Sequence, residues 1–279
     1  MRYFSMFSGV GGFELGIQRA FDNRPNIRNG AECVGYSEID KYAIKVYERN
    51  FSGHTNFGDA TNINPTELPD FDLLVGGFPC QAFSIAGKRA GFDDTRGTLF
   101  FDIARILKEK QPRNLVLENV KGLLSHDGGR TFTTILGVLA DLGYFVEWQV
   151  LNSKNFGVPQ NRERVFIVGH FGGEPRRKVF PITNNYGKDN AKNQLHDRQQ
   201  LLEGNKSNTV PQKETQTDSY RIRRLTPKEC ERLQGFPDQW TKYGIGDEPI
   251  SDTQRYKMAG NAVSVPVVAA VISKMKEGR

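Results

Sequence analysis

The sequence of 279 residues contains no apolar run long enough to span a membrane, and cysteine and histidine are scarce. A membrane helix needs about 18 or more apolar residues in succession, so insertion into a membrane is not expected. The N-terminal residues also lack the apolar stretch and small-residue cleavage site of a secretory signal. The three cysteines, Cys33, Cys80 and Cys230, form no Cys-x-x-Cys pair. Neither a metal site nor a disulfide framework is therefore indicated, and a reducing cytoplasm is the expected compartment.

Positive charge is concentrated in one part of the chain. The whole sequence has 38 Lys and Arg against 32 Asp and Glu, a net charge of +6. Residues 171–224 contain 11 of the basic and 6 of the acidic residues, so they hold five of the six net charges. This stretch is also poor in hydrophobic residues and rich in Asn and Gln. Its composition fits either a partly disordered insertion or a loop-rich surface that contacts nucleic acid.

Residues 1–170 alternate short β-branched or aromatic runs with amphipathic stretches, which predicts an α/β fold with a mostly parallel sheet flanked by helices. Strands are predicted at Arg2–Phe7, Cys33–Ser37, Leu73–Gly76, Asn114–Leu117, Tyr144–Leu151 and Arg164–Gly169. Helices are predicted at Glu14–Phe21, Lys41–Asn50, Thr98–Lys110 and Thr131–Leu142. After the basic stretch, Leu225–Gly235 predicts a helix with Thr226 as its N-cap, and the apolar helix Val263–Met275 is expected to return to the first domain.

A glycine-rich turn follows the first predicted strand. Gly9, Gly11 and Gly12 form a GxGG pattern, and Glu14 stands where a dinucleotide-binding fingerprint has its third glycine. A nicotinamide dehydrogenase is therefore not favoured. Glu38 follows the second strand, where a carboxylate can accept from ribose hydroxyls, and Asp59 is placed to accept from an adenine amine. The three features together indicate an adenosine-bearing cofactor, whereas the turn alone is a weak signal that an ordinary βα connection also explains.

Cys80 directly follows the predicted strand Leu73–Gly76 and the short segment 77–79. In α/β proteins, active sites are built at the carboxyl ends of such strands. The polar residues Ile85–Gly97 come next and have no hydrophobic periodicity, as in a loop that closes over a substrate. Cys80 is therefore a candidate nucleophile, although an average cysteine in such a position is a small buried hydrophobe. No histidine lies near it in sequence.

Several motifs occur in an order that is specific to one family. They include Pro79-Cys80-Gln81, Leu117-Glu118-Asn119-Val120 and Gln160-Asn-Arg-Glu-Arg164. Further matching blocks are Arg96-Gly-Thr-Leu-Phe-Phe101, Arg224-Leu-Thr-Pro227 with the residues up to Pro237, and Gly260-Asn-Ala-Val263. With these motifs the chain resembles the DNA (cytosine-5)-methyltransferases. The resemblance implies a Rossmann-like S-adenosylmethionine-dependent methyltransferase fold with a small, loop-rich second domain.

The resemblance also implies a reaction and a role for four residues. Cys80 would add to C6 of a cytosine flipped out of duplex DNA, and Glu118 would hydrogen-bond N3 and the exocyclic amine. Arg162 and Arg164 would hold the pyrimidine O2 and the phosphates or the loop near the base. The methyl group of S-adenosylmethionine would go to C5, leaving S-adenosylhomocysteine. Alternatively, Glu118 would be a structural partner of an arginine, and the two arginines ordinary solvated charges.

Further site residues follow from the resemblance. Those mapped onto the cofactor pocket are Phe7, Gly9, Gly11, Glu38, Ile39, Asp59, Ala60, Pro79, Leu99, Asn261 and Val263. Those mapped onto DNA contacts are Gln81, Ser84, Lys88, Arg96, Arg176, Arg177 and Lys178. Ala262 stands where many relatives have serine, which removes one hydrogen bond to the cofactor carboxylate.

The region between Arg164 and Arg224 is short for the family, in which this region carries target recognition. Three explanations are open: a minimal recognition loop, a recognition subunit supplied by a partner, or a shortened and weakly active descendant. The predicted domains are residues 1–170 plus 255–279 for cofactor binding and catalysis, and residues 171–254 for target recognition. The expected partners are duplex DNA and a cognate restriction endonuclease, in the cytoplasm of a prokaryote or for a phage. The alternatives are a tRNA cytosine-5 methyltransferase and a catalytically idle relative.

Overall fold

A six-stranded sheet forms the centre of the protein. The computed structural model of the chain describes residues 1–22, 30–79, 99–175, 177–182 and 223–277. The strands are β1 Arg2–Met6, β2 Glu32–Ser37, β3 Leu73–Gly77, β4 Asn114–Val120, β5 Tyr144–Asn152 and β6 Glu163–Phe171. Their order across the sheet is β2-β1-β3-β4-β6-β5. The first four strands in this order are parallel, and β6 is antiparallel to both of its neighbours. The predicted α/β class and all six predicted strands are confirmed.

Seven α-helices occur in the described part of the chain. They are α1 Gly12–Asp22, α2 Lys41–Asn50, α3 Leu99–Lys110, α4 Arg130–Asp141, α5 Pro227–Gln234, α6 Asp252–Asn261 and α7 Val265–Glu277. The predicted N-cap of α5 is present, since the Thr226 hydroxyl accepts from the backbone N–H of Glu229 and the Glu229 carboxylate accepts from that of Thr226. Only α6 was not predicted. Its buried Arg255 pairs with the buried Glu231 of α5, so its interior face does not show as an apolar pattern.

Hydrophobic cores lie on both faces of the sheet, because neighbouring strand residues point to opposite faces. Phe4, Leu74 and Leu115 belong to a core that includes residues of α3 and α4. On the other face, Leu73 and Val116 belong to a core that includes residues of α1 and α7. Burial on both faces explains why the parallel strands have continuous apolar sequences.

The C-terminal helix α7 packs against α1. A Cβ on Gly16 would lie 2.5 Å from a methyl carbon of Val268, so glycine permits the close approach of α1 and α7. Taken together, α6 and α7 are long and apolar enough to cross a membrane, but 61% of their apolar window is buried inside the protein. That burial, against α1, is typical of a core helix.

Described residues on both sides of the undescribed part of the basic stretch are hydrogen-bonded to other elements of the fold. Ile182 donates its backbone N–H to the Gln149 side chain on β5 at 2.8 Å. At the other end, the Leu225 carbonyl accepts from the Tyr256 hydroxyl on α6 at 2.5 Å. Further along the chain, the indole of Trp240 donates to the Val10 carbonyl at 2.8 Å. The predicted domain boundaries themselves stay a prediction, since residues 183–222 lie outside the described part of the chain.

Candidate active site

The glycine-rich turn after β1 has the backbone conformation that glycine favours. Gly9 has φ +56° and Gly11 has φ +85°, both in the left-handed region. Phe7 begins the turn with φ +55°, which is unusual for a residue with a side chain. A Cβ on Gly9 would meet no described atom within 4 Å, whereas a Cβ on Gly11 would lie 2.1 Å from the Phe51 ring. Gly9 therefore faces open space, and Gly11 leaves room for an aromatic side chain of the core.

The carboxylate of Glu38, directly after β2, stabilises this turn by hydrogen bonds to the backbone. Its Oε2 accepts from the backbone N–H of Gly9 at 2.8 Å. Its Oε1 accepts from the N–H groups of Ile39 and Asp40, each at 2.8 Å. A carboxylate has about four lone-pair positions, so three backbone bonds leave it able to accept from a ligand hydroxyl. The sequence indicated the ligand role but not the structural one.

Asp59, which was predicted to accept from the adenine amine, is the N-cap of a short 3-10 turn, Ala60–Asn62. Asp59 Oδ1 accepts from the backbone N–H and the hydroxyl of Thr61, both at 2.9 Å. Arg105 of α3 holds the same turn by donating to the carbonyls of Ala60, at 2.9 Å, and Ile63. The side of the site that carries Asp59 is thereby fixed to a core helix.

A cavity of about 470 Å³ opens at the carboxyl ends of the parallel strands. Ten of the eleven residues predicted to bind the cofactor line it, namely Phe7, Gly9, Glu38, Ile39, Asp59, Ala60, Pro79, Leu99, Asn261 and Val263. Gly11 is not among the described lining residues. Glu118, Arg162 and Arg164 also line this cavity, so the described residues predicted for catalysis share one site with those predicted for the cofactor.

Glu118 and Arg164 form an ion pair in the cavity wall. Arg164 Nε lies 3.1 Å from Glu118 Oε1, and the Cα of Arg164 pairs with that of Val120 across β6 and β4. Burial raises the pKa of the Glu118 carboxyl above its ordinary value, although the charges of Arg164 and Arg162 act to lower it. The proton is therefore held more tightly on Glu118 than on an exposed glutamate.

Arg162 also donates to the protein backbone. Its Nη1 donates to the Gly260 carbonyl at 3.1 Å, and its Nη2 donates to the Ala262 carbonyl at 2.9 Å. The sequence contained no signal for these contacts, because the two segments lie about a hundred residues apart.

Asn119 connects β4 to the segment that leads to the predicted nucleophile. Its Nδ2 donates to the Phe78 carbonyl at 2.8 Å, and its Oδ1 accepts from the Val120 N–H at 2.8 Å. Cys80 follows two residues after Phe78 but lies outside the described part of the chain, as do the predicted DNA contacts Gln81, Ser84, Lys88 and Arg96. Their roles stay predictions.

Arg177 and Lys178, the two described residues among the remaining predicted DNA contacts, do not line the cavity. Arg176 lies outside the described residues. Arg177 Nη2 lies 3.9 Å from Glu277 Oε2 at the end of α7, and Lys178 Nζ lies 5.6 Å from the Phe145 ring centroid near the start of β5. Because β5 runs parallel to β4, its start lies at the end of the strands opposite to the carboxyl ends, where the cavity opens.

Glu14, at the position of the missing third glycine, is a buried polar residue beside the site. Its Oε1 accepts from the Tyr47 hydroxyl at 3.2 Å, and that hydroxyl lies 3.0 Å from Nδ1 of His54. Burial raises the pKa of Glu14 to about 7. The sequence showed only that a glycine was absent here.

Two kinds of comparison relate the chain to known proteins. The Type II methyltransferase M1.ScrFI of Lactococcus lactis subsp. cremoris is 40% identical over 314 residues, which cover 98% of this chain and 77% of that protein. The Type II methyltransferase M.NlaX of Neisseria lactamica is 38% identical, over 97% of this chain and 95% of that protein. The S. pombe Dnmt2 methyltransferase structure has a TM-score of 0.66 at 18% identity, covering 99% of this chain and 98% of that chain, and so supports the fold alone.

A protein-family model also matches the chain. The model described as C-5 cytosine-specific DNA methylase matches residues 1–209 and 178–277. The matched residues include both the glycine turn and the segment that carries Asn261, and both of these line the cavity. The chain belongs to the C-5 cytosine-specific DNA methylase family.

Proposed function

We propose that this DNA cytosine-5 methyltransferase acts through a covalent bond between Cys80 and C6 of a cytosine flipped out of duplex DNA. The observation that carries the proposal is the ion pair of the buried Glu118 with the partly buried Arg164, in the wall of the cavity that the predicted cofactor residues line. A buried carboxyl with a raised pKa is suited to hold a proton against a ring nitrogen. Its arginine partner is suited to hold a neighbouring carbonyl oxygen.

The family implies S-adenosylmethionine as methyl donor, and the cavity residues fit it. Gly9 faces open space, so a ligand can approach the backbone there. Ile39 is 70% exposed although it is apolar, so a planar base could cover it. Glu38 and Asp59 provide acceptors for hydroxyl and amine groups. S-adenosylmethionine, when bound, supplies an electrophilic methyl group that cytosine C5 accepts.

The protein makes C5 reactive. The Cys80 thiolate would form a bond to C6, and Glu118 would give its proton to N3 as electron density moves into the ring. Arg164 would hold the Glu118 carboxylate that remains. After C5 has gained the methyl group, loss of the C5 proton to a base or water and return of the N3 proton to Glu118 let the C6–Sγ bond break, which returns the thiolate and the protonated carboxyl.

Target recognition is proposed to lie in residues 171–254, with the basic stretch against DNA phosphates. The names of the relatives as Type II methyltransferases support a role beside a cognate restriction endonuclease, in the cytoplasm where bacterial or phage DNA lies. A separate recognition subunit remains the alternative partner. Methylation of one defined sequence by the purified chain would support recognition by the chain itself, and activity only after addition of a second protein would support the subunit.

Incorporation of radiolabelled methyl groups tests the proposal. The wild type, Cys80→Ser, Glu118→Gln and the matched control Cys230→Ser would be incubated with labelled S-adenosylmethionine and either duplex DNA or total tRNA. We expect label in DNA 5-methylcytosine with the wild type and Cys230→Ser, none with Cys80→Ser, and a loss of about a hundredfold with Glu118→Gln. Full incorporation by Cys80→Ser, or label in tRNA alone, would contradict the proposal.

A further inference from the structure

Arg162 holds the backbone on both sides of Asn261. One guanidinium group donates to the carbonyl that precedes Asn261, that of Gly260, and to the carbonyl that follows it, that of Ala262. Asn261 lines the cavity between these two fixed points. The orientation of the Asn261 side chain therefore depends on a residue that comes from the connection between β5 and β6.

The same segment is also anchored at its other end. Lys257 Nζ donates to Asp40 Oδ2 at 2.7 Å, and Asp40 is itself the N-cap of α2. The cavity wall from Lys257 to Ala262 thus has one ionic anchor at the start and one arginine anchor at the end. The ionic anchor is exposed to solvent and contributes little by itself, whereas Arg162 is partly buried and has two acceptors.

Only arginine can make the second anchor as observed. A planar guanidinium presents two N–H groups in a fixed fork, so it reaches two carbonyls at once. A lysine carries its donors on a single nitrogen at the end of a flexible chain. Replacement of Arg162 by lysine would keep the positive charge in the cavity wall. It would lose the simultaneous hydrogen bonds to the carbonyls of Gly260 and Ala262.

We infer that Arg162 is a positioning residue for the cofactor, which it serves by fixing Asn261 in the cavity wall. The inference rests on the proposed function, and it changes the role that the sequence indicated for Arg162, namely contact with the pyrimidine or the phosphates. Since both terminal nitrogens already donate to the backbone, the guanidinium is held in place before any DNA binds.

The test is the affinity for S-adenosylhomocysteine, measured by calorimetry without DNA. We expect Arg162→Lys to weaken binding about tenfold, as the loss of one charged hydrogen bond would. The matched control is Arg232→Lys, because Arg232 pairs with Asp238 on the surface and does not line the cavity. A dissociation constant for Arg162→Lys equal to that of the wild type would overturn the inference.

A double-mutant cycle separates action through Asn261 from a general loss of structure. If Arg162 acts through Asn261, Arg162→Lys should weaken binding much less in an Asn261→Ala background than in the wild type. Additive losses would overturn the inference. If Arg162→Lys does not fold, Arg162→Gln, which keeps an amide donor, replaces it in the cycle.

Failure of the proposed function has a different signature. A wild type that does not bind S-adenosylhomocysteine would refute the cofactor assignment itself and with it this inference. A wild type that binds, together with an Arg162→Lys protein that binds equally well, would refute the positioning role and leave the proposed function standing.

Discussion

Replacement of the buried Glu14 by glutamine is expected to remove a pH dependence from the stability of this protein. Burial raises the pKa of Glu14 to about 7, from an ordinary value of 4.5. Between these two pH values the native protein keeps a proton that the unfolded chain has released. The free energy of unfolding therefore falls as pH rises through this window, and the contribution of the protonated group is lost above about pH 7.

The size of the effect follows from the two pKa values. Each unit of difference corresponds to about 1.4 kcal/mol, so the full loss is about 3 kcal/mol. Most of it falls between pH 5 and pH 8, where the wild type should lose about 2 to 3 kcal/mol more than Glu14→Gln. The glutamine carbonyl can still accept from the Tyr47 hydroxyl, which now lies 3.2 Å from Glu14 Oε1.

Urea unfolding at a series of pH values measures this difference. A difference in the free energy of unfolding that is the same at every pH would report only the changed hydrogen bonding. The prediction concerns how this difference between the two proteins changes with pH. Curves for wild type and Glu14→Gln that stay parallel from pH 5 to pH 8 would show that Glu14 is already ionised in the native state. The reasoning from burial would then be wrong.

Two further predictions concern the glycine turn and the ion pair. Gly11→Ala should destabilise the protein by about 3 kcal/mol or more, because its Cβ would overlap the Phe51 ring. Gly9→Ala should cost only about 1 kcal/mol, from backbone strain, but it should weaken S-adenosylhomocysteine binding. Thermal unfolding and calorimetry would separate the two, and equal unfolding temperatures would contradict the prediction. Arg164→Ala should lower stability by about 1 to 3 kcal/mol at pH 8 and by less at pH 5, since protonation of Glu118 removes the unpaired buried charge. A loss independent of pH, measured by urea unfolding, would contradict it.

The sequence predicted the strands and most helices because their patterns are local. Parallel strands buried on both faces have continuous apolar runs, and the N-cap of α5 has its two partners three residues apart. Helix α6 was missed because its buried face includes Arg255, whose partner Glu231 lies on another helix. A rule based on apolar spacing cannot recognise a buried face that is charged.

The candidate site shows the same limit. The position of Glu38 at a strand end was enough to place it in the cavity, whereas Asp59 lines the cavity from the N-cap of a 3-10 turn and not from the strand end that the sequence predicted. The space beside Gly11 is occupied by Phe51, forty residues later, and the guanidinium of Arg162 is held by carbonyls about a hundred residues away. Such contacts depend on how the helices pack and have no local signal in the sequence.

The attachment of both ends of the basic stretch has a consequence for how the chain could be altered. Ile182 is held by Gln149 on β5, and Leu225 by Tyr256 on α6, so the residues between them start and finish at fixed points. The entropy of closing a loop between fixed points grows only with the logarithm of its length, and doubling the length costs about 0.6 kcal/mol. Exchange of residues 183–222 for a segment of different length and composition should therefore leave the sheet and its cavity folded. Ile182 and Leu225 are therefore the natural junctions for such an exchange.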